Sequence, residues 1–394
     1  PCGRPIYANS SGRDPQPVCL MHSHDSKKPQ DAFDVEIKAI LAGTSKQHRP
    51  SNKFDFCEFV FFNYRFLRDD IAKLTDFSGA TFAEGVIFRG VTFTKGAFFR
   101  NATLSGDASF QSVTFTKHAT FYKATFTEGA RFSNVTFRKG AFFSATTFSK
   151  GAVFRSITFC NAAQFIDAII GRSQQSEEKG ERSAAQREEK EEGSAIADFR
   201  DASFMRPELV SFLRTNQNAT CGLRARFANC CIEEVRFDAV RWHRYENRMV
   251  LQDELDLLGQ SDGALSHEEV AIAYRRMIIN FEKVRAYDLV EDCTIGEFEM
   301  KRRNPDRFLF AKLLKLDYEC CPFLRAIGER ASIVGIYHLA SLYGTSYQRA
   351  MGVLGLLLVA FGLCFSTVVD ICPVSIPDKI AACGHLNVFD RMGS

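Results

Sequence analysis

Several things are scarce in this sequence, and each scarcity narrows its reading. No phosphate-cradling G-x-x-x-x-G-K loop occurs in the 394 residues, which removes a common nucleotide-binding device. Histidine is sparse at eight, and His267, His338 and His385 stand isolated in the chain. No nucleophile, base and orienting group come together, so no enzyme is expected. Net charge is only +3, far from the dense negative charge that a mimic of duplex DNA needs. The thirteen cysteines are odd in number and scattered without a framework. With no signal-like leader ahead of them, they fit a reducing compartment. Tryptophan occurs once, at position 242.

What the chain has in excess is phenylalanine, 38 of them, and their spacing is regular. The stretch 96–121 reads GAFFRNATLSGDASFQSVTFTKHATF. From Phe77 through Phe82, Phe88, Phe93 and Phe99 to Phe165 and Ile170, a large apolar residue returns after five and then six residues, giving a period of eleven. Two places before each sits a small or β-branched residue such as Ala97, Val113 or Ala119, with Thr146 the one polar exception after Phe77. A helix would smear this spacing around its surface, and a plain strand does not break every five residues. A chain that turns a corner every five or six residues accounts for it. On each short side the large residue and the small one two before it face inward, so Phe121 should be buried and Thr120 exposed. The extra residue of each longer gap (Gly85, Gly96, Asp107, His118, Gly129, Gly140, Gly151, Ala162) reads as a left-handed corner, because all but the last are residue types that tolerate positive φ.

The quoted pattern resembles the pentapeptide-repeat proteins, in the variant with alternating five- and six-residue units. The resemblance implies a mainly β fold: a right-handed quadrilateral β-helix with about 22 residues per coil. Phe56, Phe61, Phe66 and Ile71 lead into the array, and after Ile170 the charged run 171–195, which lacks large apolar residues, reads as a disordered insertion. The pattern resumes at Phe199 and Phe204 and runs on through Phe227, Ile232 and Phe237 to Trp242, which is expected to end the stack. The expected organisation is therefore a Cys/His-containing N-terminal segment with a short helix at 1–53, a β-helix at 54–242, an α-helical region at 243–349, a transmembrane helix at 350–369 and a tail at 370–394.

Within the α-helical region, Val270, Tyr274, Met277, Ile278, Phe281 and Val284 recur at helical spacing, followed by Leu289, Cys293 and Phe298, and predict an αα-hairpin. The run AMGVLGLLLVAFGLCFSTVV at 350–369 carries no charge, and twenty helical residues span roughly 30 Å, the thickness of a hydrocarbon core. Lysine and arginine precede it densely, from Lys301 to Arg349, and only Lys379 and Arg391 follow it. The positive-inside rule then puts the β-helix on the cytoplasmic side of a single-pass cell-membrane anchor. The Tyr-Gly stretch before the span and the opening CGRPIY…VCLMHSHD resemble the bacterial membrane-anchored members of the same group.

That opening brings Cys2, Cys19, His22 and His24 close in sequence, a soft-ligand set suited to structural zinc, with C-x2-H spacing at Cys19–His22. The reading as unliganded packing and surface groups is the favoured one, because a standard half-site would carry a second cysteine two or three residues after the first, and position 5 is proline. No other cofactor is expected. Over 77–170 there are ten Lys or Arg against four Asp or Glu, so the solenoid is basic and the nucleic-acid-mimicking topoisomerase inhibitor is the least favoured reading. The expected function is a non-enzymatic, membrane-tethered scaffold. Its partners would be the lipid bilayer through 350–369 and an unidentified protein on the solenoid wall, with no nucleic acid and with oligomerisation left open. The alternative is a subunit of a membrane transport or channel-like assembly.

Overall fold

In the computed structural model the described residues are 4–7, 14, 16–45, 53–67, 70–71, 73–171, 195–219, 221–259, 265–304, 333–344 and 346–371. The chain divides into two compact units, Pro1–Phe308 and Leu309–Ser394.

The first unit is dominated by a four-sided β-solenoid of about seven turns. Its strands are two to nine residues long and pair in parallel with the strand one coil away. Phe115 lies opposite Phe93 and Phe137, and Ala119 opposite Ala97 and Ala141, which makes the coil 22 residues. The ladders form sheets of eight, six and eleven strands. The eleven-stranded sheet covers two sides, because the long strand Thr81–Arg89 runs through a corner and pairs on one half with Thr103–Leu104 and on the other with Ala108–Gln111.

Inside, the rings form one column per side. Phe99, Phe121 and Phe143 stack at 4.9 Å with interplanar angles of 5° and 3°. Phe88, Phe110 and Phe132 do so at 4.9 and 4.7 Å. Phe93, Phe115 and Phe137 make a third column, and Phe61, Phe82, Leu104, Phe126 and Phe148 the fourth. These separations match the spacing between hydrogen-bonded strands, so ring stacking and backbone pairing share one repeat. Rings in adjacent columns meet edge-on, as Phe110 and Phe121 do at 5.8 Å and 89°, the arrangement that aromatic quadrupoles favour. The alanines two places before each ring are fully buried beside them.

Two expectations fail in detail. Thr120 points outward but is 7% exposed, because Phe98 and Phe142 flank it on the neighbouring strands. The left-handed corner is also elsewhere. Among the extra residues of the longer gaps only Gly85, Gly96 and Gly151 have positive φ; the left-handed residues at eleven-residue intervals are Gly79, Gly90, Asn101, Ser112, Lys123, Asn134, Ala145, Ser156 and Asp167, with φ between 53° and 69°. Each lies two residues after a ring. Where the corner closes as a β-turn, as in Ala124 N–H to Phe121 O at 2.9 Å, it is the third turn residue, the place where positive φ is required. Glycine in the longer gap serves close approach instead: a Cβ on Gly85 would stand 2.8 Å from Asp107 O, and one on Gly140 would stand 2.6 Å from the Phe142 ring.

The insertion leaves the register intact. Ala152 pairs with Ala197 and Thr158 with Ser203, so the coil closes across it. The expected disorder of 171–195 falls almost wholly outside the described residues. Phe212, which the five-residue spacing passes over, supplies the next ring, 4.6 Å from Phe165 and 5.2 Å from Phe237.

Both ends are covered. At the start, the helix Gln30–Ala42 sets Phe33 edge-on against Phe61 at 5.4 Å and buries Ile37 and Ile40. The buried Lys28 ammonium donates to the carbonyls of Leu20, Ser23 and Val60, and burial lowers its pKa to about 7. At the far end Trp242 packs on Phe237 at 5.3 Å, and Phe281 of the helix His267–Lys283 lies over it at 6.1 Å. From the same helix Asn280 donates to the carbonyls of Ile232 and Val235, and Arg276 to that of Cys230, satisfying the open edge. The short helix Gln252–Leu258 brings the buried Asp253 carboxyl to the Phe227 amide at 2.7 Å, and burial raises its pKa to about 7. His267–Lys283 and Tyr287–Arg303 form the expected hairpin, started by a Ser266–Glu269 capping box. Val284, assigned to the apolar stripe, is the C-cap residue and is exposed.

Among the described residues of the second unit are the helix Ile333–Ser341 and the 25-residue helix Tyr347–Ile371. Among the described residues one helix, over Tyr347–Cys364, is long and apolar enough to cross a membrane, and none of that window is buried. Leu356, Leu357 and Leu358 are each more than 60% exposed. The tail from 372 on lies outside the described residues.

Candidate partner-binding groove

The outward residues of one solenoid side run, coil by coil, Asp76, Phe98, Thr120, Phe142 and Gln164. Period-two alternation puts them outside because Ala97, Ala119 and Ala141 are inside. Two bulky rings therefore stand on either side of a short threonine, two ladder steps or about 10 Å apart, and leave a groove of about 720 Å³. Tyr122, 43% exposed, and Arg100 border it on one corner. The Arg100 guanidinium rests 5.0 Å from the Phe98 ring.

On the other corner stands His118. Its Nδ1 accepts the Gly140 N–H at 3.2 Å, so the neutral ring carries its proton on Nε2 as a donor. The ring leans over Phe142 at 5.7 Å. The absence of a side chain at Gly140 makes room for both rings, since a Cβ there would also meet His118 Nδ1 at 2.9 Å. Beside His118 runs a row of lysines one coil apart: Lys95, Lys117 and Lys139, all exposed, with Lys73 one coil earlier and half-buried. Sequence reading passed over this groove. The available signals were a lysine recurring every 22 residues and phenylalanine at outward positions 98 and 142, where threonine or another polar residue is usual.

The residues proposed as zinc ligands are placed as follows. Cys19 Sγ and His22 Nδ1 come within 3.0 Å, held by a bridge between Ile6 and Cys19. His24 turns away to Asp14 Oδ1, also at 3.0 Å. Cys2 lies outside the described residues. Among the described residues no three His, Cys, Asp or Glu side chains are grouped to hold a metal. The donor chemistry of the Cys19–His22 pair fits zinc, and two ligands alone do not complete a tetrahedral site.

One string, Gly259–Gly263, has the G-x-S-x-G form of a nucleophile elbow. It joins the helices Gln252–Leu258 and His267–Lys283, whereas an elbow needs a strand-to-helix turn.

A family model described as pentapeptide repeats (9 copies) matches residues 99–147, the stretch that holds most of this groove. No curated protein matches the chain. Among solved structures, a trypsin-treated form of QnrB1, a plasmid-mediated fluoroquinolone resistance protein, is similar over 52% of this chain and 87% of its own, at 16% identity and a TM-score of 0.20.

Proposed function

We propose that this chain, a pentapeptide-repeat protein by its solenoid, is a non-enzymatic scaffold that holds a partner protein on the solenoid wall and is tethered to a membrane by its C-terminal helix. The observation that carries the reading is the groove between Phe98 and Phe142. Within the regular coils 77–165 the other phenylalanines are buried in the inner columns, and here two stand outside with a recess between them. A packed β-solenoid offers a rigid wall, so a recess in it is already formed before a partner arrives. The apolar run 350–369 supports the tether, and the lysines and arginines upstream support a cytoplasmic solenoid. A basic wall beside an anionic leaflet gains about 1 kcal/mol for each basic group near the surface.

The test is site-specific photocrosslinking in intact membranes. A photoreactive residue at Tyr122, on the groove, should give a discrete protein adduct. The same residue at Arg131, on another side, should give none. Adducts at neither position, or equally at both, would remove the groove as the binding site. The transport-subunit alternative has one apolar helix in its favour among the described residues and nothing further.

A further inference from the structure

The solenoid pairs much of its surface charge within itself. Arg131 meets Asp107 at 3.4 Å, Lys150 meets Glu128 at 2.9 Å, Arg155 meets Asp201 at 3.7 Å and Arg214 meets Asp167 at 2.7 Å. Around the groove that pattern stops. Lys95, Lys117 and Lys139 line one edge with Arg138 beside them, and Arg100 and Lys123 stand on the other; none of these six forms an ion pair with a described residue. Arg100 and Lys123 lie against the rings of Phe98 and Tyr122. Asp76, the acid one step along the same ladder, is already held by Lys53 at 3.2 Å. Two unneutralised cationic edges thus enclose an aromatic recess.

We infer that the groove takes an acidic, aromatic-bearing segment of another protein. Its carboxylates lie along Lys95, Lys117 and Lys139, and one phenylalanine or tyrosine side chain drops between Phe98 and Phe142 onto Thr120. The inference rests on reading the wall as a protein-binding surface. The dimensions agree with a short peptide: the three lysines span about 10 Å, the rise of about three residues of extended chain. The His118 Nε2–H adds a neutral donor on the same edge. A bilayer, being flat, would touch the rims and leave the recess empty. Single-stranded nucleic acid tracks cationic grooves of about 4–16 nucleotides, and this one is bounded by Asp76 and Gln164, each two coil steps from Thr120.

The experiment uses the full-length chain in nanodiscs of neutral phosphatidylcholine. Fluorescence anisotropy follows a labelled peptide of the form Glu-Asp-Glu-Phe-Asp-Glu-Glu and a twin with serine in place of the phenylalanine. The phenylalanine peptide should bind about tenfold more tightly than its twin. Phe142→Ala, and separately Phe98→Ala, should abolish that preference without moving the urea midpoint, since both rings lie outside the core. Lys95→Gln combined with Lys117→Gln and Lys139→Gln should weaken both peptides about tenfold and flatten the salt dependence. Lys150→Gln, on another side, should change nothing. Equal binding of the twins overturns the inference, as does displacement of the peptide by oligothymidylate or by phosphatidylserine vesicles at lower concentration than by the unlabelled peptide. If no peptide binds while Tyr122 still crosslinks a protein in membranes, the acidic-aromatic assignment falls and the scaffold reading stands. If the crosslink is missing as well, both fall.

Discussion

Replacing one ring of the inner columns should destabilise the whole solenoid by a predictable amount. Phe121 is fully buried, stacked at 4.9 Å on both Phe99 and Phe143, and met edge-on by Phe110 and Phe132 at 5.8 and 5.6 Å. Phe121→Ala removes two stacked pairs, each worth about 0.5–1.5 kcal/mol beyond area burial. It also opens a cavity that the ladder above and below cannot close, because the strand spacing is set by backbone hydrogen bonds. The combined cost should be about 3–5 kcal/mol. Phe121→Leu should cost much less, about 1.5 kcal/mol, since Leu104 already occupies a ring position between Phe82 and Phe126. The assay is urea unfolding of the full-length chain in neutral detergent, followed by circular dichroism at a β-sheet wavelength. With an m-value of about 3 kcal/mol/M, the alanine variant's midpoint should fall by about 1 M or more. A midpoint unmoved by Phe121→Ala, or alanine and leucine variants that behave alike, would refute the stacked-column account.

Three further outcomes are expected. Truncation from Ala350 onward should move the chain from the membrane fraction to the soluble one, and Leu357→Arg with Val359→Arg should do nearly the same, because central charges cost about 2.5–3.5 kcal/mol each on insertion; labelling of Cys160 or Cys221 by an impermeant thiol reagent in intact cells would contradict the cytoplasmic placement. If the opening segment holds structural zinc, purified chain should carry about one equivalent, lost in Cys19→Ser and in His22→Ala, and elemental analysis finding no metal in the parent chain would end that proposal. Burial raises the Asp253 carboxyl to about 7 in the folded chain, against about 3.9 unfolded. The folded state therefore keeps a proton that the unfolded state releases, and the stabilisation is complete below about pH 4 and lost as pH rises through 7. Asp253→Asn should flatten that decline, and a parent midpoint that climbs over the window relative to the variant would show the sign to be wrong.

The coil was legible in the sequence because its cause is local. A large residue and a small one two places before it must share a face of any strand, and thirty-eight phenylalanines leave little else to fill the interior. The features that escaped depend on residues a full coil away or on the shape of a corner. Thr120 looks exposed until Phe98 and Phe142, each 22 residues distant, are laid beside it. The left-handed position is filled by Gly, Asn, Asp, Ser, Lys and Ala alike, so composition does not mark it, whereas glycine gathers where a Cβ would crowd an atom of a neighbouring coil. Phe212 was hidden by the short 3-10 turn Pro207–Leu209, which breaks the count of five. The groove required reading outward positions at a spacing of 22, a period invisible to any window of one repeat. The Cys19–His22 pair was legible as neighbours, and their 3.0 Å approach agrees with it.

The coil that closes across the insertion has a consequence for how the chain can be cut and joined. Ala152 and Thr158 pair with Ala197 and Ser203 as though nothing lay between, and Phe154 and Phe159 stack on Phe199 and Phe204 at 4.8 and 5.5 Å. Backbone hydrogen bonds and stacked rings join the two flanks directly. A protein joined this way should be obtainable as two separately expressed fragments that reassemble, and should accept a foreign domain at that point, with Phe142 one coil and Phe98 three coils from the break.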